Sequence, residues 1–173
     1  MPAHKVIDLP ARIGLVADTH RRAGGAVHLP DELLAGLAVC DLILHAGDLN
    51  TWGVLDILGE IAPVEAVHGN NDEPDVVRAL PETMYFTAGD ISLGLLHGHK
   101  PGGTARQSAI QSMAGLVNCA VYGHSHIPDL SREGDLLLVN PGSPTQRRRS
   151  PHHSYAIMTI DREISVELVQ MTR

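Results

Sequence analysis

The chain has 173 residues, 43% of them hydrophobic but only 3% aromatic, with a formal net charge of -7. That length suits one domain with an aliphatic core, and the acidic balance argues against a generally basic nucleic-acid-binding surface. Cys40 and Cys119 lie in no recognisable motif and read as buried free thiols, and no apolar run approaches the ~20 residues of a membrane span.

Met1 to Ala11 holds Lys5, Asp8 and two prolines without an apolar signal-peptide core, so it reads as a short extension and the protein as cytoplasmic. Residues 12–173 read as a single domain. Arg12 to Ala17 has the form of a buried strand emptying into a loop at Asp18. Pro30-Asp31-Glu32 suits the first turn of a helix reaching Leu37. Asp41 to His45 is a second strand, Thr51 to Ile61 has helical spacing, and Val64 to His68 is a third strand. Strand and helix alternating in this way call for parallel strands with helical crossovers. The second half changes character. Thr83–Ala88 and Ile91–His97 flank Gly89-Asp90 as a hairpin, a helix spans about Ala105 to Leu116, and strands follow at Cys119–Tyr122 and Leu136–Val139. Tyr155–Ile160 and Ile164–Gln170 form a closing hairpin about Asp161-Arg162. Parallel units followed by hairpins predict two mixed sheets packed face to face, with helices outside.

Six apolar runs end in polar clusters: Asp18-Thr19-His20, Gly47-Asp48, Gly69-Asn70-Asn71-Asp72, His97-Gly98-His99, Gly123-His124-Ser125-His126 and Asn140-Pro141-Gly142-Ser143. Ligands in open α/β sheets bind beyond the carboxyl ends of strands, so these clusters are placed to converge. Mixed imidazole and carboxylate donors favour Mn, Fe, Co, Ni or Zn over Mg or Ca. Two divalent ions carry four positive charges, of which Asp18 and Asp48 cancel two, so the centre would attract a phosphoryl group. Paired metal ions about 3.5–4 Å apart clamp attacking and leaving oxygens and lower the pKa of a bridging water. The expectation is phosphoester hydrolysis by a metal-bridging hydroxide.

The motif order Asp-x-His, Gly-Asp, Gly-Asn, His, Gly-His-x-His resembles the calcineurin-like metallophosphoesterase superfamily over roughly Arg12 to Gln170. The small size, the Asn-Pro-Gly-Ser segment and the closing hairpin are similar to its small prokaryotic YfcE-like phosphodiesterase branch. The resemblance implies a four-layer α/β/β/α sandwich with two central mixed sheets. It implies two divalent metal ions, most often Mn, with Fe, Ni, Co or Zn as alternatives. Asp18, His20 and His126 would hold the first ion and Asn70, His97 and His124 the second, with Asp48 bridging. A homodimer is in keeping with the family.

At the third motif many members have Gly-Asn-His, whose His assists departure of the leaving group; here that place is Asn71. An amide is no general acid, so its loss would cost about 10²–10⁴-fold on poor leaving groups. Activated aryl diesters are therefore the expected substrates. His99 is the best substitute proton donor, beside Asp48 and Asn70 as catalytic candidates. Asn71 and Arg147, from the Arg147-Arg148-Arg149 run, are the candidate substrate contacts, although a solvated basic loop is the simpler reading of that run. His45 reads as a satisfied core histidine, and Asp72 as a brace for its loop. Asn140 and Ser143 read as shaping the floor of the site.

The leading reading is a phosphodiesterase acting on a small phosphoester, with no stable nucleic-acid binding and no membrane association. One alternative is a phosphomonoesterase or nucleotidase on the same centre. The other is a non-enzymatic interaction module, since the small retromer subunit has this fold and also lacks the third-motif His.

Overall fold

Apolar runs of three to seven residues become the central strands of two mixed sheets. The computed structural model describes residues 3–22, 24 and 26–172. Strands β1 (Ala3–Val6) and β2 (Ala11–Val16) lead to helix α1 (Asp31–Leu37), then β3 (Leu42–His45), α2 (Gly53–Gly59), β4 (Val64–Ala66) and α3 (Pro74–Ala79). The hairpin of β5 (Thr83–Ala88) and β6 (Ile91–Leu96) precedes α4 (Ala105–Met113). The remaining strands are β7 (Cys119–Val121), β8 (Asp129–Glu133), β9 (Leu136–Asn140), β10 (Ser154–Ile160) and β11 (Ile164–Gln170).

One sheet runs β1-β5-β6-β7-β9-β8 and the other β11-β10-β2-β3-β4. Within them β2, β3 and β4 are mutually parallel, as are β6, β7 and β9. Both hairpins expected from sequence form, with Ala88 paired to Ile91 and Ile160 to Ile164 at their ends.

Alternation along each strand builds three cores, because successive side chains point to opposite faces. Leu44, Met158, Leu95, Val121 and Val139 turn inward and pack between the sheets with Phe86. Their neighbours Ile43 and Ile157 turn outward and bury Leu33, Leu37, Val54, Leu58 and Val76 of the first three helices. On the far face Ala120 and Leu138 pack against Ala105, Ala109 and Met113 of α4. The result is the four-layer α/β/β/α arrangement. Helix α4 is fixed at its start by a capping box, in which Thr104 Oγ1 accepts from Gln107 N–H and Gln107 Oε1 accepts from Thr104 N–H. Such a cap is worth about 1 kcal/mol.

Three elements differ from the sequence expectation. Ala3–Val6, expected as an extension ahead of the first strand, is β1, paired in parallel with β5 at the sheet edge. Its burial is slight, so hydrophobic patterning cannot reveal it. Strand β8 is likewise a polar edge strand, antiparallel to β9. Helix α3 is six residues long, too short to display a period, although Pro74 at its first turn marks its start. Among the described residues no helix is long and apolar enough to cross a membrane.

Candidate metal centre

The loops after β2, β3, β6 and β7 meet at one edge because backbone hydrogen bonds continue past the strands. Ala46 N–H donates to Val16 O at 2.8 Å, Asp18 N–H to Gly47 O at 3.0 Å, and His20 N–H to Asp48 O at 2.9 Å. Gly123 N–H donates to His97 O at 3.1 Å, extending the second sheet in the same way. His97 then joins the two sheets, its Nδ1 donating to Ala46 O at 2.7 Å. Three loops share one backbone device, a left-handed residue, an ordinary one and a left-handed residue: Asp18 (φ 55°) and His20 (43°), Asp48 (56°) and Asn50 (73°), His124 (68°) and His126 (61°). This conformation turns both flanking side chains of each loop toward the common centre.

Two donor sets result, Asp18-His20-His126 and Asp48-His97-His124, and within each the ligand atoms lie within 4.8 Å of one another. His20 Nε2 and His126 Nε2 are 3.1 Å apart, and His126 Nε2 is 3.4 Å from Asp18 Oδ1. In the other set His97 Nε2 is 3.2 Å from Asp48 Oδ2 and 3.3 Å from His124 Nδ1. The sets adjoin: His20 Nε2 is 3.5 Å from Asp48 Oδ2, and His97 Nε2 is 3.9 Å from Asp18 Oδ1. Donor atoms each about 2.1 Å from a shared ion stand about 3.0–3.4 Å apart in octahedral or tetrahedral geometry.

The tautomers are set by the opposite ring nitrogens. His126 Nδ1 donates to Gln146 O, as His97 Nδ1 does to Ala46 O. His126 Nε2 therefore turns a lone pair toward Asp18, an orientation typical of metal-bound histidine. At His97 burial is outweighed by Asp48 and Asp18, which raise its pKa, so in the metal-free chain its Nε2 presents a proton to Asp48 that an ion would displace. Asp18 is fully buried and neither of its carboxylate oxygens has a hydrogen-bond partner. Burial pushes its carboxyl from 3.8 up to about 7. Asp48 behaves oppositely. Its burial is outweighed by hydrogen bonds from His97 and Asn71, which hold it well below the usual carboxylate range. Burial also lowers the basicity of His20, His124 and His126, the last to about 4. Three imidazoles of lowered basicity and an orphaned buried carboxylate are what a divalent cation requires, so the residues fit the metal ions that the motifs imply.

The neighbouring groups sort themselves by what they touch. The Asp72 carboxylate accepts from Gly69 N–H at 2.6 Å, Asn50 N–H at 2.6 Å and Asp48 N–H at 3.2 Å, bracing the two loops as expected. Asn140 donates to Gly123 O and Ser143 to Asp18 O, so the Asn-Pro-Gly-Ser turn supports the floor. Glycine is required at Gly69 and Gly123, where a Cβ would collide with Asp48 Oδ1 and crowd Asp18 Oδ2 respectively. His45 is fully buried, with Nε2 3.1 Å from Thr19 Oγ1, and burial lowers its pKa to about 3. Burial pushes the Cys119 thiol up to about 12, which suits a packing role.

Asn70 is exposed on the turn after β4. His99 is half-buried, its ring centroid 5.4 Å from that of His97 and 6.4 Å from that of His124. The two expected substrate contacts, Asn71 and Arg147, each have a partner within the protein. Asn71, expected to contact substrate, directs its side-chain amide to Asp48 Oδ2 at 2.7 Å and its backbone N–H to Asp48 Oδ1 at 2.8 Å. Arg147 donates to Ser150 O at 3.0 Å within its own loop. It is Arg148 whose positive charge is felt at Asp18, His20, His124 and His126. Sequence reasoning overlooked Asn50, whose enclosed side-chain oxygen favours the protonated form of the neighbouring His20. Its signal was its place, two residues after Asp48 as His20 is two after Asp18.

Residues 12–163 match the calcineurin-like phosphoesterase superfamily domain. A probable metallophosphoesterase of Methanothermobacter thermautotrophicus is 32% identical over 160 residues, covering 91% of each chain. A phosphodiesterase of Methanocaldococcus jannaschii is 26% identical over 148 residues, covering 76% of this chain and 82% of the other. Among solved structures, Vps29 of Entamoeba histolytica complexed with zinc superimposes with a TM-score of 0.69 at 25% identity, covering 92% of this chain and 98% of that one. A family match spanning most of the chain, on a fold and donor set that agree with it, makes this protein a member of the calcineurin-like phosphoesterase superfamily.

Proposed function

We propose that the protein is a metal-dependent phosphodiesterase that hydrolyses small or activated phosphoesters at a dinuclear centre. The observation that carries this reading is the convergence of four imidazole nitrogens on two carboxylates, one of them buried without any partner. Asp18, His20 and His126 would hold one ion and Asn70, His97 and His124 the other, with Asp48 shared. Mn is the first metal to test. When bound, such ions supply Lewis acidity and an activated water. The chain's own residues do the rest. Ala46 O and Gln146 O hold the His97 and His126 rings in place, and Asn71 fixes Asp48. His99, on the His97 side, would meet the leaving oxygen. The setting is a soluble cytoplasmic protein, as a monomer or homodimer.

A phosphomonoesterase is the second reading, supported by the Arg148 charge, which would offset the additional charge of a monoester. The likeness to Vps29 supports a third, an interaction module without catalysis. A Mn-supplemented assay of aryl phosphodiesters and aryl monoesters separates the three, with Asp48→Ala as control. Metal-dependent diester turnover lost in the variant is the expected result. Turnover of neither ester would sink the hydrolase and leave the interaction module.

A further inference from the structure

Five of the chain's 13 Lys and Arg residues stand in two short stretches, Arg21-Arg22 and Arg147-Arg148-Arg149, although the chain as a whole carries a net charge of -7. The two stretches belong to loops tied together beside the first donor set. Thr145 Oγ1 donates to Thr19 O at 2.7 Å, and Ser143 Oγ to Asp18 O at 2.8 Å. Arg21 N–H donates to Leu49 O at 3.1 Å, which anchors its backbone to the loop that carries Asp48. Among the described residues, none of these five arginines pairs with a carboxylate; the Lys and Arg ion pairs are those of Lys5 and Arg106. Arg21 Nε is enclosed and without a hydrogen-bond partner.

Together with His20, Arg21 and Arg22 border an open groove of about 400 Å³ whose other lining residues are Ala26, Val27 and His28. Its mouth shares His20 with the donor set, so an ester whose phosphorus sits at the centre would extend one substituent into it. A neutral aryl or alkyl group gives unpaired guanidinium groups nothing to bind. A phosphoryl group matches their planar donor forks.

We propose that this groove is a second anion subsite, and that the preferred substrates are phosphodiesters carrying a further phosphoryl group on the His20 side. The inference rests on the phosphodiesterase reading and adds the substrate class to it. Hydrolysis itself is unchanged: water oxygen bonds to the central phosphorus, the phosphorus–oxygen bond to the leaving group breaks, the leaving oxygen keeps the electron pair, and the protons pass to solvent. The second phosphoryl group is held throughout and is not transferred.

Two substrates differing in one group test this: thymidine 5'-(p-nitrophenyl phosphate) and the same ester with a 3'-phosphate. With Mn, the expected KM is at least about tenfold lower for the 3'-phosphorylated ester, the scale of one charge-assisted hydrogen bond. Arg21→Ala/Arg22→Ala should bring the two KM values within about twofold, and Arg21→Lys/Arg22→Lys should restore part of the gap. Equal KM values in the unaltered protein overturn the subsite. Calorimetric binding of thymidine 3',5'-bisphosphate against thymidine 5'-monophosphate repeats the comparison without turnover. If neither ester is hydrolysed, the phosphodiesterase reading fails, while tenfold tighter bisphosphate binding still upholds the subsite and equal binding overturns it. A short single-stranded oligonucleotide that binds more than about tenfold tighter than the bisphosphate also overturns it, in favour of a polynucleotide track.

Discussion

Asn71 grips both oxygens of Asp48, its side-chain amide on Oδ2 and its backbone N–H on Oδ1. The residue that stands where many relatives of similar motif order carry a proton donor is thus committed to orienting a carboxylate. The protein should therefore hydrolyse p-nitrophenyl diesters far faster than alkyl diesters. Asn71→His should narrow that gap by about 10²-fold, by raising the rate on alkyl esters. Measured rates on both ester types that do not change with the substitution would show that leaving-group protonation does not depend on this position.

Asn50 offers a second substitution with a separate readout. His97 and His126 have backbone carbonyls to fix their tautomers, whereas the acceptor near His20 is the Asn50 side chain. Asn50→Ala should weaken metal binding about 10–100-fold, as loss of a ligand's outer partner generally does. Competition with a chelating dye reads this directly, and unchanged affinity would leave Asn50 with no part in the centre.

Metal binding should be linked to protons through Asp18. Its carboxyl is raised to about 7 by burial, so below that pH the metal-free fold holds a proton that an ion must displace. Apparent affinity should rise as pH increases toward 7 and then level, apart from effects of the histidines. Calorimetry in buffers of different ionisation enthalpy should detect proton release at pH 6 and less at pH 8.

His45 gives the opposite slope in metal-free stability. Its pKa is about 3 in the fold and 6.5 in the unfolded chain, so between these values the unfolded chain binds more protons. Stability from this group is complete above about 6.5 and is lost as pH falls toward 3. Asp18 works the other way, since its raised pKa makes the metal-free fold less stable as pH rises from 3.8 to about 7. The two partly cancel where they overlap. His45→Gln should remove this group's share, so that between about pH 4 and 6.5 the variant's metal-free stability gains less with rising pH than that of the unaltered protein, by on the order of a few kcal/mol. Urea midpoints measured in chelator across that range test the slope.

Sequence reading went furthest where chemistry and burial coincide. Asp18, His20, Asp48, His97, His124 and His126 could be named because each follows an apolar run that must be a strand, and parallel strands deliver their ends to one edge. It stopped where position carries no patterned signal. Strands β1 and β8 lie at sheet edges with little burial, so their residues look like loop. Arg147 and Arg148 are adjacent in sequence and differ only in which way the loop turns, with Arg148 at a φ of 47°. At Asn71 residue type indicates what it cannot donate to a leaving group, but not which carboxylate it will hold.

The three left-handed pairs at the strand ends have a consequence for the energetics of the fold. A non-glycine residue held in this region costs of order 1–3 kcal/mol, and five of the six donor residues are held there. Affinity for an ion is thus stored in the backbone as lost stability before any ion arrives. Substituting His20 or His126 by Gly or Asn, which adopt this conformation readily, should raise the melting temperature of the metal-free protein while abolishing its response to metal. The centre is a place where the fold is less stable than it needs to be, a difference that the proposed ion would restore.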